Sequence, residues 1–326
     1  MNTLLLTGIT GFIGRSVAKS LVGQYKITAL IRPNTDKKRY AEFENKINLV
    51  EIDLADTNTL RQFLQKNAFA SILHIGALRG GRKFSKEIYL KANVDSTEQL
   101  VLNAVNNKSK LIFCSSVGVF GAIPIELPAN NKTPKQEDNY YHFTKIKCEA
   151  IIQKQVLENK LNACIIRPAI TYGGEDFGFP FTLTKLIDKK LLYYPKENNR
   201  IHLTHIELLS EAFVKALKME HCSGKEWNIA DEKPVSFHEL VQFISTKIHQ
   251  KAYPNKKRID KNNFLIGENI SRFFNSELWV SRFELISKSW YYEVSSAYND
   301  LGLKKINTIP SFKDTIDWYK RFKKGL

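Results

Sequence analysis

The chain is poor in cysteine, with four in 326 residues, and none of them stands in a CxxC pair or a His/Cys cluster. That spacing excludes a zinc module, so no metal is expected. The apolar surroundings of Cys114, Cys148, Cys164 and Cys222 mark them as reduced core residues rather than a disulfide framework. No run of about 18 apolar residues is present, so no segment has the length and composition of a membrane-spanning helix. Repeats, low-complexity tracts and linkers are missing too. Acidic residues are in short supply, 33 against 49 Lys and Arg, which leaves a net charge of +16. Near the C-terminus Lys304, Lys305, Lys313, Lys320, Arg321, Lys323 and Lys324 face only Asp314 and Asp317. A solvated basic face is the commonest origin of such a surplus; an anionic small molecule or an anionic membrane surface is the alternative, with membrane contact the less favoured. No RNP, zinc-finger or helix-turn-helix signature accompanies the charge, so nucleic acid is not an expected partner. The first apolar run begins within a few residues of Met1, which leaves no room for a signal peptide and makes the cytoplasm the expected location.

What is present begins at that run. Leu4-Leu5-Leu6-Thr7 has the length of a buried parallel strand, and it breaks into Gly8, Gly11 and Gly14 before Ile13, Val17 and Leu21 continue as one face of a helix. Glycines at such a turn let the backbone approach a phosphate, and the helix N-terminus attracts its charge. Further apolar runs at 27–31, 47–52, 71–75 and 110–114 alternate with helical segments. That alternation predicts an α/β fold with a doubly wound parallel sheet and a ligand crevice at the strand C-termini. The expected division is a dinucleotide-binding domain over 1–170 and a smaller α/β lobe over 171–326, interleaved with the first.

The second strand stops at Arg32-Pro33, where a fold selecting NAD places an acid on the ribose 2′-hydroxyl. An arginine there suits the 2′-phosphate, so NADP(H) is expected over NAD(H), with Arg32 stacked on the adenine and Lys37 and its neighbours meeting the phosphate. Asp53, ending the third strand, can accept from the adenine amino group. Small residues Gly76 and Ala77 follow the fourth strand and let a cofactor lie against the backbone. The loop after them, Arg79-Gly80-Gly81-Arg82-Lys83, carries three cations and is a candidate anchor for an anionic substrate group. Ser116 follows the fifth strand, and Tyr141 and Lys145 at i and i+4 share a helix face. An ammonium beside a phenol favours the phenolate, so the Tyr141 pKa is expected to be lowered, making a tuned acid/base, with the Ser116 hydroxyl holding the substrate oxygen.

Together these residues resemble the extended short-chain dehydrogenase/reductase family, the NAD-dependent epimerase/dehydratase group. The matching stretches are Thr7-Gly8-Ile9-Thr10-Gly11-Phe12-Ile13-Gly14, Asp53-Leu54-Ala55-Asp56, His74-Ile75-Gly76-Ala77, Asn93-Val94, the run Ser115 to Gly121, Tyr141 to Lys145 and Arg167-Pro168-Ala169-Ile170-Thr171-Tyr172-Gly173. The resemblance implies a Rossmann fold and a triad of Ser116, Tyr141 and Lys145. It also implies cofactor contacts from Gly8, Thr10, Gly11, Phe12, Ile13, Gly14, Asp53, Leu54, Gly76, Ala77, Asn93 and Pro168, beside Arg32, Lys37, Tyr141 and Lys145. Dimers through a helical face are usual in the family, so a homodimer is expected. Substrate contacts are expected from Arg79, Arg82, Ser116, Tyr172 and Arg200. Dehydratases of the family carry an Asp-Glu pair after the serine; here Val117-Gly118 stands instead, so water elimination is not expected. The aromatic stretch from Phe177 to Tyr194 looks more like the 3β-hydroxysteroid dehydrogenase and keto-reductase branch. The expected activity is NAD(P)-dependent oxidation or reduction of a hydroxyl or carbonyl on a small molecule. A sugar-nucleotide epimerase with bound NAD and a non-catalytic nucleotide-binding protein are the alternatives.

Overall fold

The computed structural model describes residues 1–80, 84–274 and 277–325. The glycine-punctuated start folds as β1 (Thr3–Thr7) and α1 (Phe12–Leu21), followed by β2 (Lys26–Ile31), β3 (Asn48–Glu51), α2 (Thr57–Lys66) and β4 (Ser71–His74). Next comes α3 (Lys86–Tyr89), which runs through a π-helical stretch, Leu90–Asp95, into α4 (Ser96–Asn107). Then β5 (Lys110–Cys114), α5 (Tyr140–Asn159) and β6 (Ala163–Pro168) complete the first half. Four short strands, β7 (Ile170–Tyr172), β8 (Tyr194–Pro195), β9 (Arg200–Ile201) and β10 (Leu203–His205), surround α6 (Phe179–Asp188) and lead to α7 (Ile206–Lys218) and β11 (Glu226–Ile229).

The main sheet has seven strands in the order β11-β6-β5-β4-β1-β2-β3, and every neighbouring pair is parallel. This is the Rossmann doubly wound arrangement. Because both faces are covered, its strands read as unbroken apolar runs: Leu4, Leu5 and Leu6 are wholly buried. Leu4 and Leu6 pack with α1 and α7 on one face, whereas Leu5 packs with α2, α4 and α5 on the other. Each such leucine contributes roughly 1.5–3 kcal/mol by leaving water. The order reverses between β1 and β4, which places the ligand crevice at the C-terminal ends of those two strands. The chain beyond residue 170 returns to supply β11, so the second half is built into the first half's sheet.

The aromatic stretch from Phe177 to Tyr194 is partly packed and partly exposed, with Phe177 and Tyr193 facing solvent. Phe181 and Tyr194 are buried, and Phe177 meets Phe181 and the last helix through Trp318 and Phe322. Phe283 lies against Gly267 in a helical hairpin, and Trp290 is buried; Trp279 of the same hairpin is exposed. Among the described residues no helix is long and apolar enough to cross a membrane. The four cysteines are free and buried.

The crevice floor is held by a buried hydrogen-bond chain. Gly76 N–H donates to Thr7 Oγ1 (2.9 Å), and Thr7 Oγ1 lies 2.7 Å from His74 Nδ1. On the other side His74 Nε2 meets Thr97 Oγ1 (3.0 Å), which donates to the Asn93 carbonyl (2.6 Å). This network assigns a neutral ring with its proton on Nε2. Burial, helped by the Lys145 charge, accordingly pushes His74 down to about 3, and burial pushes His202 down to about 4. An unfolded histidine titrates near 6.5, so between that value and the folded one the unfolded chain binds more protons, and stability falls as pH falls. The loss is about 1.4 kcal/mol per pH unit for each histidine below pH ~6.5. Urea titrations from pH 7 to pH 5 should therefore show a falling midpoint, with a shallower fall in His74→Gln; an unchanged slope would show that His74 is not held neutral.

Candidate active site

The β1–α1 turn has the conformation a bound phosphate needs. Gly8 sits at φ +83°, and a Cβ there would come within 2.6 Å of Gly76 N. A Cβ on Gly14 would lie 2.0 Å from the Gly8 carbonyl oxygen, so the helix can start this close to the strand only with glycine at both places. α1 has no side-chain cap at Gly11 and no acid in its first turn, which leaves its leading N–H groups for an anion. The residues therefore fit the pyrophosphate of a dinucleotide.

At the crevice end beyond β2, Arg32 and Asp53 stand together as a half-exposed pair, Nε to Oδ2 3.5 Å, and Asp53 Oδ1 accepts from Ala55 N (3.0 Å). Lys37 is exposed, and its ammonium pairs with Glu44 at 3.0 Å. Arg32 is thus the cation of this segment that the structure couples to a cofactor candidate.

Asn93 departs from expectation. It lies in the π-helical stretch, where an extra residue per turn re-aims a side chain, and it is buried. Its Oδ1 accepts from Leu78 N (2.8 Å), and its Nδ2 donates to the Leu78 carbonyl (3.1 Å) and to Thr144 Oγ1 (3.0 Å). All its polar capacity toward a ligand is spent on clamping the loop after β4 to α5, so it positions the site.

On the facing turn of α5, Lys145 is buried and its Nζ donates to the Cys114 carbonyl at the end of β5 (2.7 Å). It lies 4.5 Å from the Phe113 ring centroid and 6.0 Å from that of Tyr141. Ser116, directly after β5, accepts from Gly118 N through its Oγ (3.0 Å). Ser116 thus stands at the end of β5, and Tyr141 and Lys145 stand one turn apart on α5, with Lys145 reaching back to the strand end. The expected depression of the Tyr141 pKa is not found. Burial raises the phenol well above its ordinary value, only partly opposed by the nearby Arg79 charge, and burial likewise lowers Lys145. The ammonium is anchored to a carbonyl rather than to the phenol, and desolvation favours the neutral form of both groups.

Under the serine turn lies a buried ionic cluster. Ser115 Oγ donates to Glu149 Oε1 (2.6 Å), Arg167 meets Glu149 at 2.7 and 2.8 Å, and Lys135 adds a further contact at 2.7 Å. Burial alone would raise the Glu149 carboxyl, but Arg167 and Lys135 hold it below the usual carboxylate range.

Of the expected substrate contacts, Arg79 is at the site: its charge lowers both the Tyr141 phenol and the buried carboxyl of Asp176, though burial raises each more. Gly80 beside it is so close that a Cβ would sit 3.4 Å from Tyr141 Cβ. Arg82 lies outside the described residues. Tyr172 does not reach the site. It is wholly buried, its hydroxyl donating to Asp231 Oδ2 (2.6 Å) and its ring stacked on Phe312. Arg200 is elsewhere too, in a cleft it shares with Asn198, Pro234, Ser236 and Glu239, none of which belongs to the Tyr141 crevice. Two features escaped the sequence reading. Asp176 is a buried acid in a glycine-rich loop, and its only signal was a charge where a turn needs none. His142 packs against Gly118, a contact between residues far apart in the chain. Among the described residues no group of His, Cys, Asp and Glu could hold a metal ion.

A parallel sheet with a glycine-lined helix N-terminus at its switch point defines a dinucleotide-binding α/β protein. Residues 4–230 match the NAD dependent epimerase/dehydratase family, and the chain belongs to that family. It is similar to the UDP-N-acetyl-alpha-D-glucosaminuronate decarboxylase of Bacillus cytotoxicus, 26% identical over 76% of this chain and 81% of that one. It is also similar to the UDP-glucose 4-epimerase of Vibrio cholerae, 24% identical over 77% of each. The crystal structure of UDP-glucuronic acid 4-epimerase from Bacillus cereus in complex with NAD superposes with a TM-score of 0.75 at 18% identity, covering 98% of this chain and 99% of that one. The protein is therefore an enzyme of a nicotinamide-dinucleotide family.

Proposed function

We propose that this protein epimerises a nucleotide-linked sugar through a transient ketone, with the dinucleotide kept bound and returned to its starting state in each turnover. The reading is supported by Ser116 at the end of β5, by Tyr141 and Lys145 one turn apart on α5 with Lys145 bonded to the Cys114 carbonyl, and by the uncapped glycine turn at the N-terminus of α1. The sugar nucleotide is drawn from the two relatives and the solved structure named above, each of which is named for a UDP-linked sugar. Bound nicotinamide supplies the hydride acceptor and donor. Tyr141 Oη takes the proton from the substrate hydroxyl and gives it back, and the Ser116 hydroxyl holds that oxygen. Lys145 is fixed beside the Tyr141 ring by its hydrogen bond to the Cys114 carbonyl, and Arg79 anchors an anionic part of the substrate.

A second reading, an NADP-dependent reductase, is favoured by Arg32 at the end of β2, where an acid would be needed on the ribose of NAD. Mass spectrometry of the dinucleotide that co-purifies separates the two: retained NAD supports the epimerase, and an empty protein that prefers NADPH in titration supports the reductase. Arg79→Ala is expected to raise KM for the anionic substrate about 10- to 100-fold, the worth of a charge-assisted hydrogen bond. An unchanged KM would remove Arg79 from substrate binding.

A further inference from the structure

A side chain at position 118 would compete with an imidazole for its place. A Cβ on Gly118 would lie 2.2 Å from His142 Nε2 and 2.5 Å from its Cδ2. Gly118 is also the residue whose N–H holds the Ser116 hydroxyl, and the His142 ring stands 5.7 Å from that of Tyr141. The imidazole therefore fills the volume beside the serine turn that a residue-118 side chain would occupy, next to the phenol.

Its other nitrogen is fixed from behind. His142 Nδ1 lies 2.5 Å from Asp138 Oδ1, and Asp138 Oδ2 accepts from Ala122 N (2.6 Å). Asn139 caps α5 on the His142 N–H (2.9 Å), and its Nδ2 lies 2.8 Å from His142 Nδ1 while donating to the same Asp138 oxygen (3.1 Å). Because a carboxylate can only accept, the shorter Asp138 contact assigns the proton to Nδ1 over the Asn139 amide, and the ring's lone pair then falls on Nε2. That nitrogen has no hydrogen-bond partner among the described residues, and the His142 side chain is 14% exposed. A carboxylate orienting an imidazole whose second nitrogen is free is the arrangement of a general base.

We infer that His142, oriented by Asp138, is a second proton-transfer group of this site, acting at the carbon next to the one whose hydroxyl meets Ser116 and Tyr141. This rests on the ketone-forming reading above. When that neighbour is a ketone, the α C–H is acidic. Nε2 takes its proton, the C–H electron pair becomes the second bond of an enolate, and the negative charge rests on the oxygen held by Ser116 and Tyr141. Return of the proton from Nε2 restores the ketone, so no oxidant or reductant is consumed by the step.

The test supplies the ketone directly. The dinucleotide-loaded enzyme is incubated with UDP-4-keto-6-deoxyglucose in D2O, and loss of the proton signals next to the carbonyl is followed by NMR. Wild type is expected to wash them out, and His142→Gln to do so about 100-fold or more slowly, the usual worth of a general base. His142→Gly should regain exchange on addition of imidazole. Dinucleotide affinity should stay near wild type in both variants, and the melting temperature in His142→Gln, which separates a proton-transfer role from a structural one. Wild-type exchange no faster than buffer, or His142→Gln exchanging as fast as wild type, would overturn the inference. Because the probe is already oxidised, exchange does not depend on hydride transfer. A wild type that exchanges this ketone but never reduces its dinucleotide with any UDP-sugar would contradict the proposed function and leave the role of His142 standing.

Discussion

Replacing Tyr141 by phenylalanine is expected to lower kcat by about 10²- to 10⁴-fold while leaving dinucleotide affinity close to that of wild type. The substitution removes one oxygen and keeps the ring, which packs against Gly80 and near His142. Lys145 is held by the Cys114 carbonyl rather than by the phenol, so its place does not depend on the Tyr141 hydroxyl. The loss is then confined to proton transfer. Stopped-flow or end-point assays on the natural substrate, with calorimetric titration of the dinucleotide, read the two effects apart. Turnover within a factor of a few of wild type would remove Tyr141 from the chemistry. Burial raises the Tyr141 phenol well above its ordinary value, and the Arg79 charge opposes this only in part.

The second large effect lies beneath the site. Arg167→Met is expected to destabilise the protein by about 3–5 kcal/mol, the typical cost of removing one partner from a buried pair. The Arg167 and Glu149 side chains are both fully buried, and Arg167 also bonds Glu226 (2.5 Å) and Asn131 (2.8 Å). Its loss leaves the Glu149 carboxylate with only Lys135 and Ser115. Chemical denaturation measures the loss, and Glu149→Gln in the same background should recover part of it, because a neutral amide needs no counter-charge. A change below about 1 kcal/mol would show that Lys135 alone satisfies the carboxylate. Activity should fall as well, since Ser115 anchors to Glu149 and precedes Ser116 in the same turn.

The parts of this molecule that were legible in the sequence are those governed by local pattern. Leu4-Leu5-Leu6 reads as a buried strand because a parallel strand covered on both faces has no polar alternation, and the alternation of strands and helices implies the sheet. Tyr141 and Lys145 were found because helical spacing is itself the signal. The misplacements arose where a residue's role depends on what folds against it. Tyr172 sits in a motif that suggests a ligand, yet Asp231, a residue of the second half, takes its hydroxyl. Asn93 is consumed by Leu78 and Thr144, and the pKa of Tyr141 is set by burial, which spacing does not reveal. His142 reads as an ordinary helical residue until Gly118 is seen to make room for it.

The central claim is that the Tyr141 crevice oxidises and re-reduces a nucleotide-linked sugar without spending its dinucleotide. The direct measurement is product analysis of the purified protein with UDP-glucose and UDP-glucuronic acid, with NAD and with NADP, while reduced dinucleotide is monitored optically. The account predicts an equilibrium mixture of epimers from at least one sugar, with no net accumulation or loss of reduced dinucleotide. No epimer from either sugar, together with stoichiometric consumption of NADPH on a carbonyl substrate, would contradict it.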